Sequence, residues 1–219
     1  MSRADRPRQP AVSPLALGDL TAGDRDDLRA RADLEGELFT EFSSPSLSLT
    51  GARIDMCRLE SIQADALDLG GSRLTEVSWV DLDAPATKAA RSQWREVEVS
   101  GRIGSLEAYD VDWRGVHFVG CKIGYLNLRN AALLDIRFTD CQITDLDLVE
   151  ATARRVALSG CRIGQLTVHG GDLSDVDLRG SALESISGIR SLAGITIDSE
   201  QLQLWAPLLA AELGIDVVD

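Results

Sequence analysis

Residues 121–145 read CKIGY LNLRN AALLD IRFTD CQITD when cut every five, and that cut decides the fold. An aliphatic or aromatic residue stands third in every block: Ile123, Leu128, Leu133, Phe138 and Ile143. A small or aliphatic one stands first: Cys121, Leu126, Ala131, Ile136 and Cys141. The register extends from Gly101 to Arg190, where 22 charged side chains all avoid the first and third places. Charged groups stay in water and apolar ones leave it, so two places in every five face a core.

Alternate side chains of an extended chain share a face, so the first and third residues point inward together on a short strand. The remaining step of three turns a corner. A chain that repeats this motion winds into a solenoid around one continuous core. Cys121, Cys141 and Cys161 lie 20 apart and Ile-Gly recurs at 103, 123 and 163, so four blocks complete one turn of a square column. A helix is excluded, because a repeat of five drifts around a 3.6-residue helix and leaves no solvated face. Leucine-rich repeats are excluded by the missing L-x-x-L-x-L spacing.

Upstream, Val97–Ser100 makes a block of four, and the register continues less cleanly back to Ala32. Glu37 is the one charge at an inward place. Ala84 and Ala89, with Pro85 between, stand where bulk is expected, so residues 82–91 are predicted to form a pinched or looped turn. The whole is expected to be an all-β solenoid over residues 32–190, about eight turns and about 38 Å long at ~4.8 Å per turn. Residues 1–31 form an arm and 191–219 a C-terminal helix in this reading. The arm, with Arg3, Arg6, Arg8, Pro7, Pro10 and Pro14, reads as disordered or loosely attached, and Asp24 to Arg31 as a short helix covering the first turn.

The blocks ADLEG, LDLGG, VDWRG, LNLRN, LDLVE, GDLSD and VDLRG resemble the pentapeptide repeat family, whose loose consensus is A-(D/N)-L-x-x. The resemblance implies a right-handed quadrilateral β-helix. It departs from the family at the second place, where Arg102, Lys122, Gln142, Arg162, His117 and Arg137 replace the acid or amide. Some members of that family bind DNA gyrase, a type II topoisomerase, and protect it from quinolones by imitating duplex DNA, as dimers joined through a C-terminal helix. For this chain the resemblance therefore implies a protein partner of that kind, topoisomerase inhibition, no direct contact with nucleic acid or membrane, and a homodimer.

The tail carries a matching feature. A helix is predicted with Ser199 as N-cap and Gly214 as its stop. Leu202, Trp205, Leu208, Leu209 and Leu213, with Leu204, cover too wide an arc for one buried stripe. One arc is expected to seal the last turn and the other to pair with a second copy; capping alone is the competing reading.

A formal charge of -13 and a pI near 4.6 exclude general affinity for nucleic acid or anionic membranes. The coil carries 16 basic and 25 acidic groups, a net of -9. Duplex DNA of the same length carries about 22 negative charges. The most acidic side holds Glu37, Glu41, Glu60, Asp81, Glu98, Asp140 and Asp177, interrupted by Arg58, Arg137 and Arg179. Glu60, Asp81, Glu98, Asp140 and Asp177 are the candidate partner surface. The alternative is a basic column, Arg102, Lys122 and Arg162 with Gln142 among them, suited to an acidic partner or phosphates.

Cys57, Cys121, Cys141 and Cys161 show no C-x-x-C spacing and read as small packing residues. His117 and His169 read as solvated. Phosphate-binding glycine loops and a nucleophile elbow are missing, so no catalytic, cofactor or metal residue is assigned. The expected function is a non-enzymatic binding protein, a DNA-mimicking modulator of gyrase or, alternatively, an interaction scaffold without DNA mimicry. The first thirty residues lack the apolar core of a signal peptide and no stretch approaches the ~20 apolar residues of a membrane span, so a cytoplasmic location is expected.

Overall fold

The computed structural model describes residues 6–217. Ile103, Ile123, Ile143 and Ile163 stand in parallel register, one above the next, and Leu183 continues the column. Each of the four isoleucines is 3% exposed or less, so the expected interior column is present. Among the described residues, sixteen strands, from Thr21–Ala22 to Ile195–Thr196, form one wound sheet in which every pair is parallel. The longest run of neighbouring strands has ten members, which makes about nine turns rather than eight. The additional winding lies at the ends, where Thr21 and Ala22 pair with Glu37 and Leu38, and Ile195 and Thr196 with Val176 and Asp177. Those end pieces carry no five-residue pattern and are held by backbone hydrogen bonds.

Corners are of two kinds. At three of the four in a turn, the fifth-place residue takes positive φ, as at Asn130 (+54°), Asp135 (+58°) and Asp140 (+53°). At the fourth the strand runs straight through, as in Lys122–Asn127, Gln142–Asp147 and Arg162–Thr167. Successive rungs there come very close: a Cβ on Gly104 would fall 2.2 Å from the Pro85 carbonyl oxygen, and one on Gly124 2.4 Å from that of Gly104. That approach favours the recurring Ile-Gly without requiring it, since Thr144 holds the same place between Gly124 and Gly164.

The block of four is a bulge. Trp79 pairs with Val99 and Leu82 with Gly101, so Val80 and Asp81 together face Ser100. The Asp81 N–H freed by the slip donates to Ser100 Oγ at 3.2 Å. No loop follows at residues 82–91, contrary to the sequence expectation. Leu82 to Lys88 pair with Gly101 to Glu107, and Ala84 and Ala89 are fully buried. Ten residues are half a turn, so Ala84 stands across the column from Trp94, and Ala89 from Trp79. Large against small preserves the cross-section. Trp94 also stacks on Trp113 with centroids 4.2 Å apart, and Phe118 on Phe138 at 4.9 Å, extending the ladders in aromatic form.

Both ends are closed by side chains. At the first, Leu28 is 7% exposed and plugs the column. The expected helix from Asp24 to Arg31 reduces to one 3-10 turn, Arg25–Asp27, with Asp24 accepting from the Asp26 N–H. Arg31 instead donates its N–H to the Thr50 carbonyl at 2.9 Å and enters the coil. At the last end the helix spans Ser199–Glu212, and its N-cap is Asp198 rather than Ser199. Asp198 Oδ1 accepts from the Gln201 N–H, and Gln201 Oε1 from the Asp198 N–H, both at 2.9 Å, a complete capping box. No described helix is long and apolar enough to cross a membrane.

Candidate functional site

The C-terminal helix divides the apolar residues assigned to it. Trp205 is 5% exposed and sits on the end of the core, with Leu209 packed against its margin. Leu202, Leu208 and Leu213 are 50%, 42% and 71% exposed, and Leu204 reaches 68%. At 100° per residue the exposed leucines flank the seated face on both sides, Leu204 and Leu208 on one and Leu202 and Leu213 on the other. Gln201, which apolar patterning passes over, does much of the sealing. Its Nε2 donates to the carbonyls of Leu178 (2.6 Å) and Ser181 (2.8 Å), two acceptors on the last turn. The D-x-x-Q of the capping box was the readable signal for it. Arg190 holds the other end of the helix, donating to Glu212 Oε1 at 2.8 Å and to its carbonyl at 3.1 Å, a cation where the helix dipole is negative.

The five carboxylates of the candidate acidic surface occupy one side of the coil, through the ladder that joins Arg58, Ser78, Glu98, His117, Arg137, Ala157 and Asp177. Their surroundings differ. Glu60 accepts from Arg58 Nε at 3.2 Å, and Glu98 lies 3.9 Å from His117 Nδ1. Asp81 is touched by the Ser61 hydroxyl at 3.5 Å, and Asp140 sits on a left-handed corner. Asp177 is 8% exposed and is gripped by Arg179 through Nε and Nη2 at 2.8 and 2.7 Å. The Arg179 contact, opposed by burial and aided by Gln9, holds the Asp177 carboxyl below the usual carboxylate range. Arginines also meet acids elsewhere on the rod, as Arg95 with Asp112, Arg102 with Asp83, Arg129 with Asp147 and Arg155 with Asp135, each at 2.7 Å or less.

The basic column is assembled as its spacing requires. Arg102, Lys122, Gln142 and Arg162 pair rung by rung. Arg102, Lys122 and Gln142 border an open groove of about 520 Å³ floored by Gly104 and Gly124, with Asp83 and Thr144 at its ends, and Arg162 lies one rung beyond it. Arg102 is bound to Asp83 at 2.7 Å, which leaves Lys122 and Arg162 as the cations of that face that no described acid pairs.

The cysteine ladder is interior. All four cysteines are buried and unpaired. Cys121 Sγ contacts the Val99 carbonyl and Cys141 Sγ that of Phe118, at 3.2 and 3.4 Å. The neighbouring thiol, with burial adding to it, pushes Cys141 up to about 12, a value without thiolate reactivity near neutrality. His117 is half-buried rather than solvated: Nε2 meets Thr139 Oγ1 at 2.9 Å, and burial holds its pKa below the ordinary value against the pull of Glu98. His169, bonded to Ser187 Oγ at 3.1 Å, is exposed. Among the described residues no group of three His, Cys, Asp or Glu is placed to hold a metal ion.

Comparison with known proteins places residues 111–187 within a family model described as a pentapeptide repeat region. No curated protein sequence matches the chain. Among solved structures, a trypsin-treated variant of QnrB1, a plasmid-mediated fluoroquinolone resistance protein, aligns at 19% identity over 88% of this chain and 94% of that one, with a TM-score of 0.28. Full-length QnrB1 aligns at 17% identity over 80% of this chain and 100% of that one, with a TM-score of 0.26.

Proposed function

We propose, from the premise that this chain is a pentapeptide-repeat protein, that it is a non-enzymatic binding rod whose partner is a type II topoisomerase, DNA gyrase. The observation that carries the reading is the rod itself. Its second, fourth and fifth places project side chains at a ~4.8 Å rise from turn to turn along a net acidic column, a periodic charged surface of the kind a DNA-binding cleft accepts. The surface offered is the side bearing Glu60, Asp81, Glu98 and Asp140, with Asp177 at its far end. Two copies join through the flanking leucines of the C-terminal helix, Leu202, Leu208 and Leu213, which a lone chain leaves in water.

The experiment is a gyrase supercoiling assay with added protein, with and without a quinolone. Inhibition of supercoiling, or protection against the drug, is the expected result. Neither effect at micromolar protein overturns the topoisomerase reading. A second reading, an interaction scaffold without DNA mimicry, is favoured by the arginines that punctuate the acids, such as Arg58 beside Glu60 and Arg179 on Asp177. It predicts that charge reversal at Glu98 and Asp140 leaves gyrase untouched.

A further inference from the structure

The N-terminal arm does not hang free. Arg8 donates its backbone N–H and its Nε to the two oxygens of Asp175, at 3.0 and 2.8 Å. Gln9 Nε2 reaches Asp177 Oδ2 at 3.0 Å. Pro10 is buried, and its carbonyl accepts from Arg137 Nη2 at 3.1 Å. The Ala11 N–H donates to Asp135 Oδ1 at 2.8 Å. Every one of these contacts joins the start of the chain to the far half of the coil. The expectation of a loose arm is thereby corrected for residues 8–11; Arg3 lies outside the described residues.

The spacing is the informative part. Leu134, Arg154 and Ser174 pair rung by rung, so Asp135 and Asp175, their next neighbours, share one corner two turns apart. Two turns rise about 9.6 Å. Three extended residues cover about 10 Å. Carboxylates at that separation are set to take the N–H of residue i and of residue i+3 from a chain running along the rod axis, across the strands rather than beside one. On the rung between them, Arg155 grips Asp135 through Nε and Nη2 at 2.6 Å each, which fixes the carboxylate's orientation. Arg137 supplies the donor for the carbonyl of residue i+2. The corner thus reads main chain at three points, an arginine at Asp175 and a proline in a buried seat.

The rest of the arm is consistent with such a guest. Ten residues link Ala11 to Thr21, about 34 Å when extended. Six steps along the neighbouring strands separate the rung of Thr21 from that of Asp135, about 29 Å. The arm is therefore drawn nearly straight down the rod.

We infer that the corner formed by Asp135, Arg137, Asp175 and Asp177 is a recognition groove for an extended peptide carrying arginine two residues before proline, and that residues 8–11 are its resident occupant. A segment of the same chemistry from a partner protein enters when the arm leaves. The groove shares Asp177 with the proposed topoisomerase surface but does not rest on that reading and stands if it fails. A tethered occupant competes at an effective concentration of the order of millimolar, so the unaltered chain is closed to weak peptides.

The test uses full-length chains and a fluorescein-labelled peptide of residues 6–13, RPRQPAVS, followed by fluorescence anisotropy. In the chain with Arg8→Glu and Pro10→Ser the seat is vacated, and saturable binding is expected, at least tenfold tighter than to the unaltered chain. Adding Asp175→Asn, which keeps the side chain's shape, should weaken binding at least threefold; Asp175→Lys should abolish it. Amide exchange at Ile143 and Leu146 checks that the coil is intact in each variant, and the Ala11 amide should be protected only where Arg8 is native. No binding to the vacated chain, equal binding to vacated and unaltered chains, or binding that survives Asp175→Lys overturns the proposal.

Discussion

Residues 111–187 and residues 32–100 build the same coil from sequences of different regularity. The first segment matches the family model and the second lies outside that match. The second contains the bulge, the inward Glu37 and two alanines where bulk was expected. Yet Leu59, Leu74 and Trp79 are as deeply buried as Ile123 or Phe138. The contrast shows what the repeat constrains. Each turn must fill a fixed cross-section with apolar volume, and which side supplies the volume is free, as in the pairs Trp94 with Ala84 and Trp79 with Ala89. A pattern that scores each place separately reads such a turn as broken.

The sharpest way to break that comparison is to remove the compensating bulk. Trp94→Ala should cost about 3–5 kcal/mol, measured by urea denaturation, because the alanine opposite leaves nothing to collapse into the space. Trp94→Leu combined with Ala84→Leu should then be more stable than the sum of the single changes allows. Strict additivity of the two would mean that the sides of the column do not share volume.

The corners sharpen it next. Gly124→Val places atoms against the Gly104 carbonyl, where even a Cβ would lie at 2.4 Å, and should cost about 1–3 kcal/mol. Gly120→Asp should cost well under that, about 1 kcal/mol or less. Gly120 has φ +60° with open space around its missing Cβ, and Asp140, one rung on at the same corner, already holds φ +53°. Equal losses in the two variants would abolish the distinction between the close corner and the left-handed ones.

Charge divides the same two regions. In the later region Asp135 and Asp177 are held below the usual carboxylate range, Asp135 chiefly by Arg155 and Asp177 by Arg179, and just beyond it Asp198 is held down by the Gln201 and Gly180 N–H groups. In the earlier one Glu37 and Glu96 are raised, chiefly by burial, with Asp27 acting on Glu37 and Asp135 and Glu76 on Glu96. A carboxyl whose pKa is depressed by folding stabilises above its unfolded value near 4, and that stability is lost as pH falls through the folded value. A raised one destabilises at neutral pH and is relieved as pH falls through its higher value. Acid should therefore loosen the late turns first, seen as faster amide exchange there at a given intrinsic rate. Glu37→Gln should raise the neutral-pH stability by about 1 kcal/mol, since Oε2 is buried without a partner, and the gain should shrink in acid. A gain that grows as pH falls would contradict this assignment.

How much of this was legible depends on the range of the interaction. The column of Ile103, Ile123, Ile143 and Ile163 is a local pattern repeated, and reading it needs no more than the alternation of a strand. The additional turns at Thr21–Ala22 and Ile195–Thr196 are backbone pairings, which side-chain periodicity does not record. The contact of Arg8 with Asp175 spans 167 positions and has no local signature. Gln201 was within reach, since its capping box with Asp198 is a short motif, but a search for apolar residues passes over an amide that closes the coil by hydrogen bonds.

The two flanks of the C-terminal helix offer the smallest effect on folding and the cleanest decision about assembly. Trp205 and Gln201 face the coil, so changing either disturbs the cap together with anything built on it. Leu202 and Leu208 are 50% and 42% exposed and flank that seat. As a lone chain, Leu202→Glu and Leu208→Glu should alter stability by about 0.5 kcal/mol or less, because the new carboxylates remain in water. If the leucines join two copies, the same changes bury a charge at the interface, and light scattering should fall from a dimer mass to that of one chain. A single-chain mass before the substitution, unchanged after it, would assign the helix to capping alone and leave its leucines to some other surface.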